Sequence, residues 1–563
     1  MLKQVFISAL SILFIIGCSV IEEPDTIYKN GRIYTVNEDQ PWAEAVAIKD
    51  GKFLAVGSNV QIEALRGVTT EVIDLDGKFV MPGIHDTHVH AALVYTYKEA
   101  GELLFPESLN KDKILDVVKK YINDNPNKKW IRGQKWSTLL FPGGKATKEF
   151  LDAVVTDRAV MLVDETGHNA VVNSKALEWA GITKDTPDPE FGSIDRDSKT
   201  GEPTGYLSET AVALVGKYFE RPDTEAFYRG IVKGLKQIRK YGTTSIIDMA
   251  AGKEAILAYR KLEDEGKLNF RVRTAIPLND YAAEQITTEE AEELLKNRKQ
   301  YESNLVNTNN LKFWADGTPF SHTSLLLEPY TDRPDTRGEM TIGSKQYERI
   351  LQSHSEGIQV HLHSVADGTT HELLNVIEEA RNQSPQKNLR HHIGHLMLVG
   401  AQDVSRFKEL NVAAEFSPVL WYPAPLTQTA VNYVGKERMK RWHPIKEFVD
   451  AGVIVSFGSD WPAGTPDADP WRGLEAMITR MDPKGNEPGK VGEGITLEQG
   501  IEILTLGGAK TMMQEENVGS IESGKFADMI ILDRNLFEVP VNEIDKTKVL
   551  KTIFNGKKVY SSE

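Results

Sequence analysis

Between about Pro82 and Glu515, short apolar runs alternate with amphipathic stretches over some 430 residues, and this alternation restricts the fold more than any other feature of the 563-residue chain. The runs Ala159 to Asp164, Ser245 to Met249, Phe270 to Ala275, Leu311 to Ala315, Ile358 to His363, His391 to His395, Ala413 to Phe416 and Val453 to Ser459 have the length of buried strands. Asp223 to Lys240, Glu289 to Arg298, Tyr347 to Glu356, Glu372 to Arg381 and Pro444 to Ala451 lie between them with helical periodicity. Parallel strands need crossovers of this kind, so the pattern predicts an α/β fold, a TIM-like (β/α)₈ barrel over 82–515 lengthened by insertions. A doubly wound open sheet is the second choice. Residues 183–222, rich in Asp, Pro, Gly and Thr, are expected to be a lid-like insertion over the barrel mouth.

The two ends read differently. Residues 25–81 carry short strands separated by turns at Gly31, Asp50-Gly51 and Asp76-Gly77, and 516–563 carry more strands with a turn at Asn555-Gly556. A β-sandwich domain built from both termini is the expectation. The apolar run Val5 to Ile16 after Lys3 is too short to span a bilayer and fits a secretory leader over 1–17, followed by an 18–24 linker. Cys18 is the only cysteine, so the folded part has neither disulfides nor thiolate metal sites, and any metal must be held by nitrogen and oxygen. A net charge of −15 argues against nucleic acid as a partner.

Of the 13 histidines, eight fall in three clusters: His85, His88 and His90; His361 and His363; His391, His392 and His395. The first follows Lys78 to Met81 and Pro82, which reads as a buried strand opening into a loop. Side chains two apart on extended chain share a face, so His88 and His90 point the same way. Each cluster sits near the C-terminal end of an expected strand, where barrel enzymes carry their active sites. Asp460, after the run Val453 to Phe457, falls at the same end; its other reading is a turn-capping Asp.

The ordered motifs "MPGIHDTHVH", "LKFWADG", "VHLHSVADGTTHELLNVIE", "RHHIGHLML", "FGSDWP" and "GSIESGKFADMIILD" resemble the metal-dependent amidohydrolase superfamily, in the amidohydrolase 3 branch that includes N-substituted formamide deformylases. The resemblance implies that His88 and His90 bind one metal and that His363 and His395 are the fifth- and sixth-strand ligands. It also implies that Asp460 is a ligand and proton carrier, and that Lys312 is a lysine carboxylated to bridge two ions. Lys312 ion-paired with Asp316 or another carboxylate is the alternative. His361 shares the face of His363, and spacing alone does not choose between them. Relatives often have Glu where this chain has Gly394, and an aliphatic or aromatic residue where it has His85. Ile15-Ile16-Gly17-Cys18 resembles a bacterial lipoprotein box, implying export and membrane attachment through lipid on Cys18.

The remaining site expectations are looser. His168 is a substrate or oxyanion contact, or a structural histidine; Glu209 is a ligand in place of Lys312, a substrate contact, or an acid at a helix start. Trp136, Trp314, Trp421 and Trp461 are pocket or packing residues. The implied reaction is hydrolysis of a C–N bond in a small amide, formamide or cyclic amide. The cofactor is one or two divalent ions, zinc by ligand type, with Asp460, His395 and His168 acting on the substrate. Ester or lactone hydrolysis on the same site, or an inactive surface-binding lipoprotein, are the alternatives. The oligomeric state stays open, a homodimer included.

Overall fold

Eight parallel strands form one sheet in chain order: β1 (Ile84–Val89), β2 (Thr243–Met249), β3 (Arg271–Pro277), β4 (Val306–Trp314), β5 (Gln359–Ser364), β6 (His392–His395), β7 (Ala413–Phe416) and β8 (Val455–Phe457). The structure is a computed structural model and describes residues 22–562 apart from 94, 106–109, 137–139, 142–144, 165–166, 279–285, 421–424, 464 and 486–489. Residues 1–17, expected to be a leader, Cys18, expected to carry lipid, and Trp421 therefore lie outside the described residues. Strands such as β2, buried at every position, are what a sheet covered on both faces requires.

β8 meets β1 through a specific seam. Thr87 Oγ1 donates to the Phe457 carbonyl (2.9 Å), Ser459 N to Asp86 Oδ1 (3.0 Å), Asp460 N to the His88 carbonyl (2.7 Å) and His90 N to the Trp461 carbonyl (2.9 Å). These contacts bring the ends of the sheet together as a nearly closed barrel, the fold the alternation predicted. Crossover helices cover its outside. In α1 (Thr224–Arg239), Asp223 caps the N-terminus by accepting from Ala226 N (2.8 Å), and Ala226, Gly230, Ile231, Gly234, Leu235 and Ile238 form the buried face. α2 (Ser344–Glu356) ends at Gly357, whose φ of 78° makes the left-handed cap that glycine adopts without strain, and α3 (Asp367–Gln383) follows β5.

Three local expectations are corrected. Ala159–Asp164 is not a barrel strand: it lies in a six-stranded mixed sheet within the 90–242 insertion between β1 and β2. That sheet packs apolar residues on both faces, so its strand has the same uninterrupted apolar run as a barrel strand. Gly83 to His90 is likewise not a loop that continues the strand before it: Phe79–Pro82 lies in the terminal domain, as the 25–81 boundary implied. Phe79–Pro82 pairs there with Arg32–Tyr34 and Met529–Leu532, and the histidine motif lies on β1 itself. Residues 183–222, expected to be an irregular loop, contain the antiparallel strands Gly192–Arg196 and Pro203–Glu209, held to the insertion by buried Ile194 and Leu207.

Both termini build the second domain. One sheet is wholly N-terminal, and the other joins three N-terminal strands to Met529–Leu532, Val549–Phe554 and Lys557–Ser561. Tyr28, Val46, Phe53, Val80, Met529 and Ile553 lie in the core between them. Among the described residues no helix is long and apolar enough to cross a membrane.

Candidate metal centre

β1 and the turn after β8 supply the first half of the site. Asp86 Oδ1 accepts from His88 N (3.2 Å) as well as from Ser459 N, which ties the backbone of His88 to the strand end opposite. His90 directs Nδ1 at the Met249 carbonyl on β2 (2.8 Å). A carbonyl only accepts, so Nδ1 carries the hydrogen and Nε2 keeps its lone pair. That Nε2 lies 3.2 Å from Asp460 Oδ1, and Nε2 of His88 lies 3.3 Å from the same oxygen. Asp460 reaches them because its φ of 52° turns the chain sharply after β8, so the capping alternative falls.

The second half comes from β5 and β6. His363 Nδ1 lies 3.0 Å from Asp316 Oδ1, and Asp316 is itself fixed by Val365 N (3.0 Å) and Ala366 N (3.1 Å). The His395 ring, at φ 72°, is centred 4.5 Å from that of His363 and 4.6 Å from that of His88. His361 faces His88 and His392, with ring centres 4.7 and 4.5 Å away, and neither of its nitrogens has a hydrogen-bond partner among the described residues. Anchoring of Nδ1 thus distinguishes His363 from His361, which spacing could not do.

Lys312 on β4 is fully buried, with Nζ 3.5 Å from His88 Nε2 and 5.2 Å from the centre of the Trp314 ring. Asp316, its expected ion-pair partner, is instead committed to His363 and two backbone amides. Burial pulls the Lys312 amine down to about 7 and pushes the Asp316 carboxyl up to about 7. Burial also holds His88, His361 and His363 well below the usual imidazole range and His395 at about 3, which keeps these rings in the neutral, ligating form. For Asp460, burial acts upward, but the proximity of His90, His395 and Lys312 outweighs it and lowers the carboxyl below its ordinary value.

The insertion contributes a pair. His168 Nδ1 lies 2.9 Å from Glu209 Oε2, Thr323 Oγ1 donates to Glu209 Oε1 (2.9 Å), and the His168 ring is centred 5.5 Å from that of His363. Burial lowers the His168 imidazole, yet Glu209 overcomes this and raises it. Glu209 ends a strand at the N-cap position of the helical turn Thr210–Val212 without a capping side-chain hydrogen bond, its carboxylate being held by His168 and Thr323 instead.

Two of the tryptophans are placed as packing residues. Trp136 donates to the Leu162 carbonyl (2.9 Å) and packs in the insertion's own core, so of its two readings it takes that of a packing residue. Trp461 is buried with its indole donating to the Pro466 carbonyl (3.2 Å), and it serves the site through the carbonyl that holds His90 N.

Sequence reasoning missed Glu415, on β7. It is fully buried with Oε2 2.8 Å from His88 Nδ1, and burial pushes its carboxyl up to about 8. A single acid inside the apolar strand Ala413–Phe416 was the available signal, since an unpartnered buried carboxylate is costly.

The donor set fits a divalent cation. Among the described residues, His88, His90 and Asp460 each bring a donor atom within 4.8 Å of the others, as do His88, His395 and Glu415. All are nitrogen or carboxylate donors, buried or nearly so. Comparison with known proteins agrees. The amidohydrolase family matches residues 71–560. YtcJ of Bacillus subtilis is 28% identical over 557 residues, covering 95% of this chain and 99% of its own. N-substituted formamide deformylase of Arthrobacter pascens is 24% identical over 542 residues, covering 94% and 97%. The crystal structure of an uncharacterized metal-dependent hydrolase from Pyrococcus furiosus matches with a TM-score of 0.67 at 26% identity, covering 91% of this chain and 99% of its own. The chain belongs to the amidohydrolase family and has the barrel and donor set of a metal-dependent hydrolase.

Proposed function

We propose that this hydrolase cleaves a C–N bond in a small amide, N-substituted formamide or cyclic amide, using one or two divalent ions that His88, His90, His363, His395 and Asp460 would hold, with Lys312 as a further ligand once carboxylated. The convergence of the His88 and His90 Nε2 atoms on one oxygen of Asp460 carries this reading. The relative named N-substituted formamide deformylase supports the substrate class. Nitrogen and oxygen donors favour zinc. Bound there, a divalent ion supplies a Lewis acid that polarises a carbonyl and lowers the pKa of a water.

The chain's own residues do the rest. Asp460, ionised at neutral pH, accepts a proton from the attacking water as the water oxygen bonds to the carbonyl carbon. It returns that proton to the nitrogen as the C–N bond breaks, so one water is consumed and an acid and an amine leave. His168, whose charged form Glu209 favours, supports the carbonyl oxygen as negative charge gathers on it. Lys312, its amine lowered to about 7 and so partly neutral at that pH, can in that neutral form add carbon dioxide to give a carbamate and release a proton, which would leave oxygen donors where the protonated amine would repel metal.

The test is to strip the protein of metal, reconstitute it with zinc, manganese or iron, and screen N-formyl, N-acyl and cyclic amides beside esters and lactones. Metal-dependent amide cleavage is the expected result. Turnover confined to esters or lactones would move the assignment to that class, and absence of both metal uptake and turnover would end it.

A further inference from the structure

A carboxylate withdrawn from water costs several kcal/mol unless it is well hydrogen-bonded, so the partners of buried Glu415 define its role. Oε2 lies 2.8 Å from His88 Nδ1. Oε1 accepts from Ser417 Oγ (3.1 Å), and that hydroxyl lies 3.3 Å from His395 Nδ1. One side chain on β7 therefore reaches imidazoles carried by β1 and β6, the first directly and the second through one hydroxyl.

The room for it comes from two glycines. Gly394 is the register partner of Glu415 on β6, and a Cβ there would lie 2.3 Å from Glu415 Oε2 and 2.5 Å from His361 Cε1. A Cβ at Gly458 would lie 2.3 Å from Glu415 Oε1 and 2.5 Å from His88 Cβ. Neither glycine has the positive φ that would by itself call for glycine. Their lack of a side chain is what the carboxylate needs.

We propose that Glu415 is a positioning residue that fixes His88 and His395 for metal binding, in a slot that glycine at 394 and 458 keeps open. The inference rests on the metal-centre reading above. With Oε2 accepting the Nδ1 hydrogen of His88, the lone pair of that ring is on Nε2, the atom that faces Asp460 at 3.3 Å. Ser417 donates its hydroxyl hydrogen to Glu415 and lies 3.3 Å from His395 Nδ1, the nitrogen that is 4.0 Å from Asp460 Oδ2, so the same carboxylate holds the His395 ring through one hydroxyl. An acceptor on the far nitrogen sets the tautomer, orients the ring and makes the ligating nitrogen more basic.

The experiment compares Glu415→Gln and Gly394→Ala with the full-length wild type. Each is stripped of metal and titrated with Zn²⁺ in competition with a chelator and with Co²⁺ followed by visible absorption, and the metal-free forms are melted. Expected is a loss of about 10–100-fold in metal affinity for Glu415→Gln, with an altered Co²⁺ spectrum and a metal-free melting temperature at or above wild type. Gly394→Ala, whose methyl displaces an intact Glu415, shows the same loss. Wild-type affinity and spectrum in the variants overturn the proposal, and if one of them fails to fold the other decides. A wild type that takes up no divalent metal removes the metal-centre reading and this proposal together; normal uptake with unaffected variants removes this proposal alone.

Discussion

Asp460 has two jobs in the proposed reaction, ligand and proton carrier, and substitution separates them. Asp460→Asn keeps an oxygen donor beside His88 and His90 but no longer takes up a proton. It should retain much of the metal while kcat falls by about 10²–10⁴-fold. Metal analysis and steady-state kinetics on one preparation check this, and wild-type turnover would discard the proton-carrier role. Glu415 makes a prediction about pH. In the metal-free protein its carboxyl is raised from 4.5 to about 8, so the folded state holds a proton that the unfolded chain has released across that interval. The stabilisation is complete below pH ~4.5 and disappears as pH rises through 8. Glu415→Gln should therefore lose that fall, melting near wild type at the acid end and above it at the alkaline end. Parallel melting curves for the two proteins would contradict the assignment. Lys312, lowered to about 7, acts in the opposite sense and restores stability above that pH, so the comparison is made between proteins that both retain it.

At the scale of elements, the strand Pro203–Glu209 carries Glu209 to the barrel mouth, where it holds His168. His168→Ala should lower kcat by about 10²–10³-fold, and Glu209→Gln by less, with metal content unchanged in both. Loss of metal from either variant would place the pair among the ligands instead. The elements also show what a sequence discloses. Periodicity gave the barrel and its crossover helices because burial on both faces leaves a continuous apolar run and burial on one face leaves a helical stripe. The same signal could not assign Ala159–Asp164 to a sheet, since the insertion also buries both of its faces. His88, His90 and Asp460 were legible because motif residues at strand ends must converge in a barrel. Glu415 was marked only as a lone acid in an apolar strand, and its role was not legible because its direct partner His88 lies on β1, at the other end of the barrel sequence, where no local spacing records the contact.

For the whole molecule, the donors span elements from β1 to the turn after β8, so metal occupancy is tied to the integrity of the barrel. Metal at a thousandfold excess over its Kd should stabilise the fold by about 4 kcal/mol, raising the melting temperature by several degrees over the chelated protein. Calorimetry with and without a chelator measures this, and identical transitions would show that the donors are not occupied together. The terminal domain is joined to the barrel on its own terms: Arg271 on β3 donates to Asp528 and Asn555, and its guanidinium stacks over Phe526 and Phe554. Metal loss should leave that joint in place.

The seam between β8 and β1 has a consequence for how the molecule comes apart. His88 and His90 stand on one lip and Asp460 on the other, so a shared cation would act as a clasp across the one place where the sheet's two ends meet. Unclasping by chelation should then let amide hydrogens near Thr87 and Ser459 exchange sooner than those deep between β3 and β5, and the cylinder would open along a line fixed by its own chemistry.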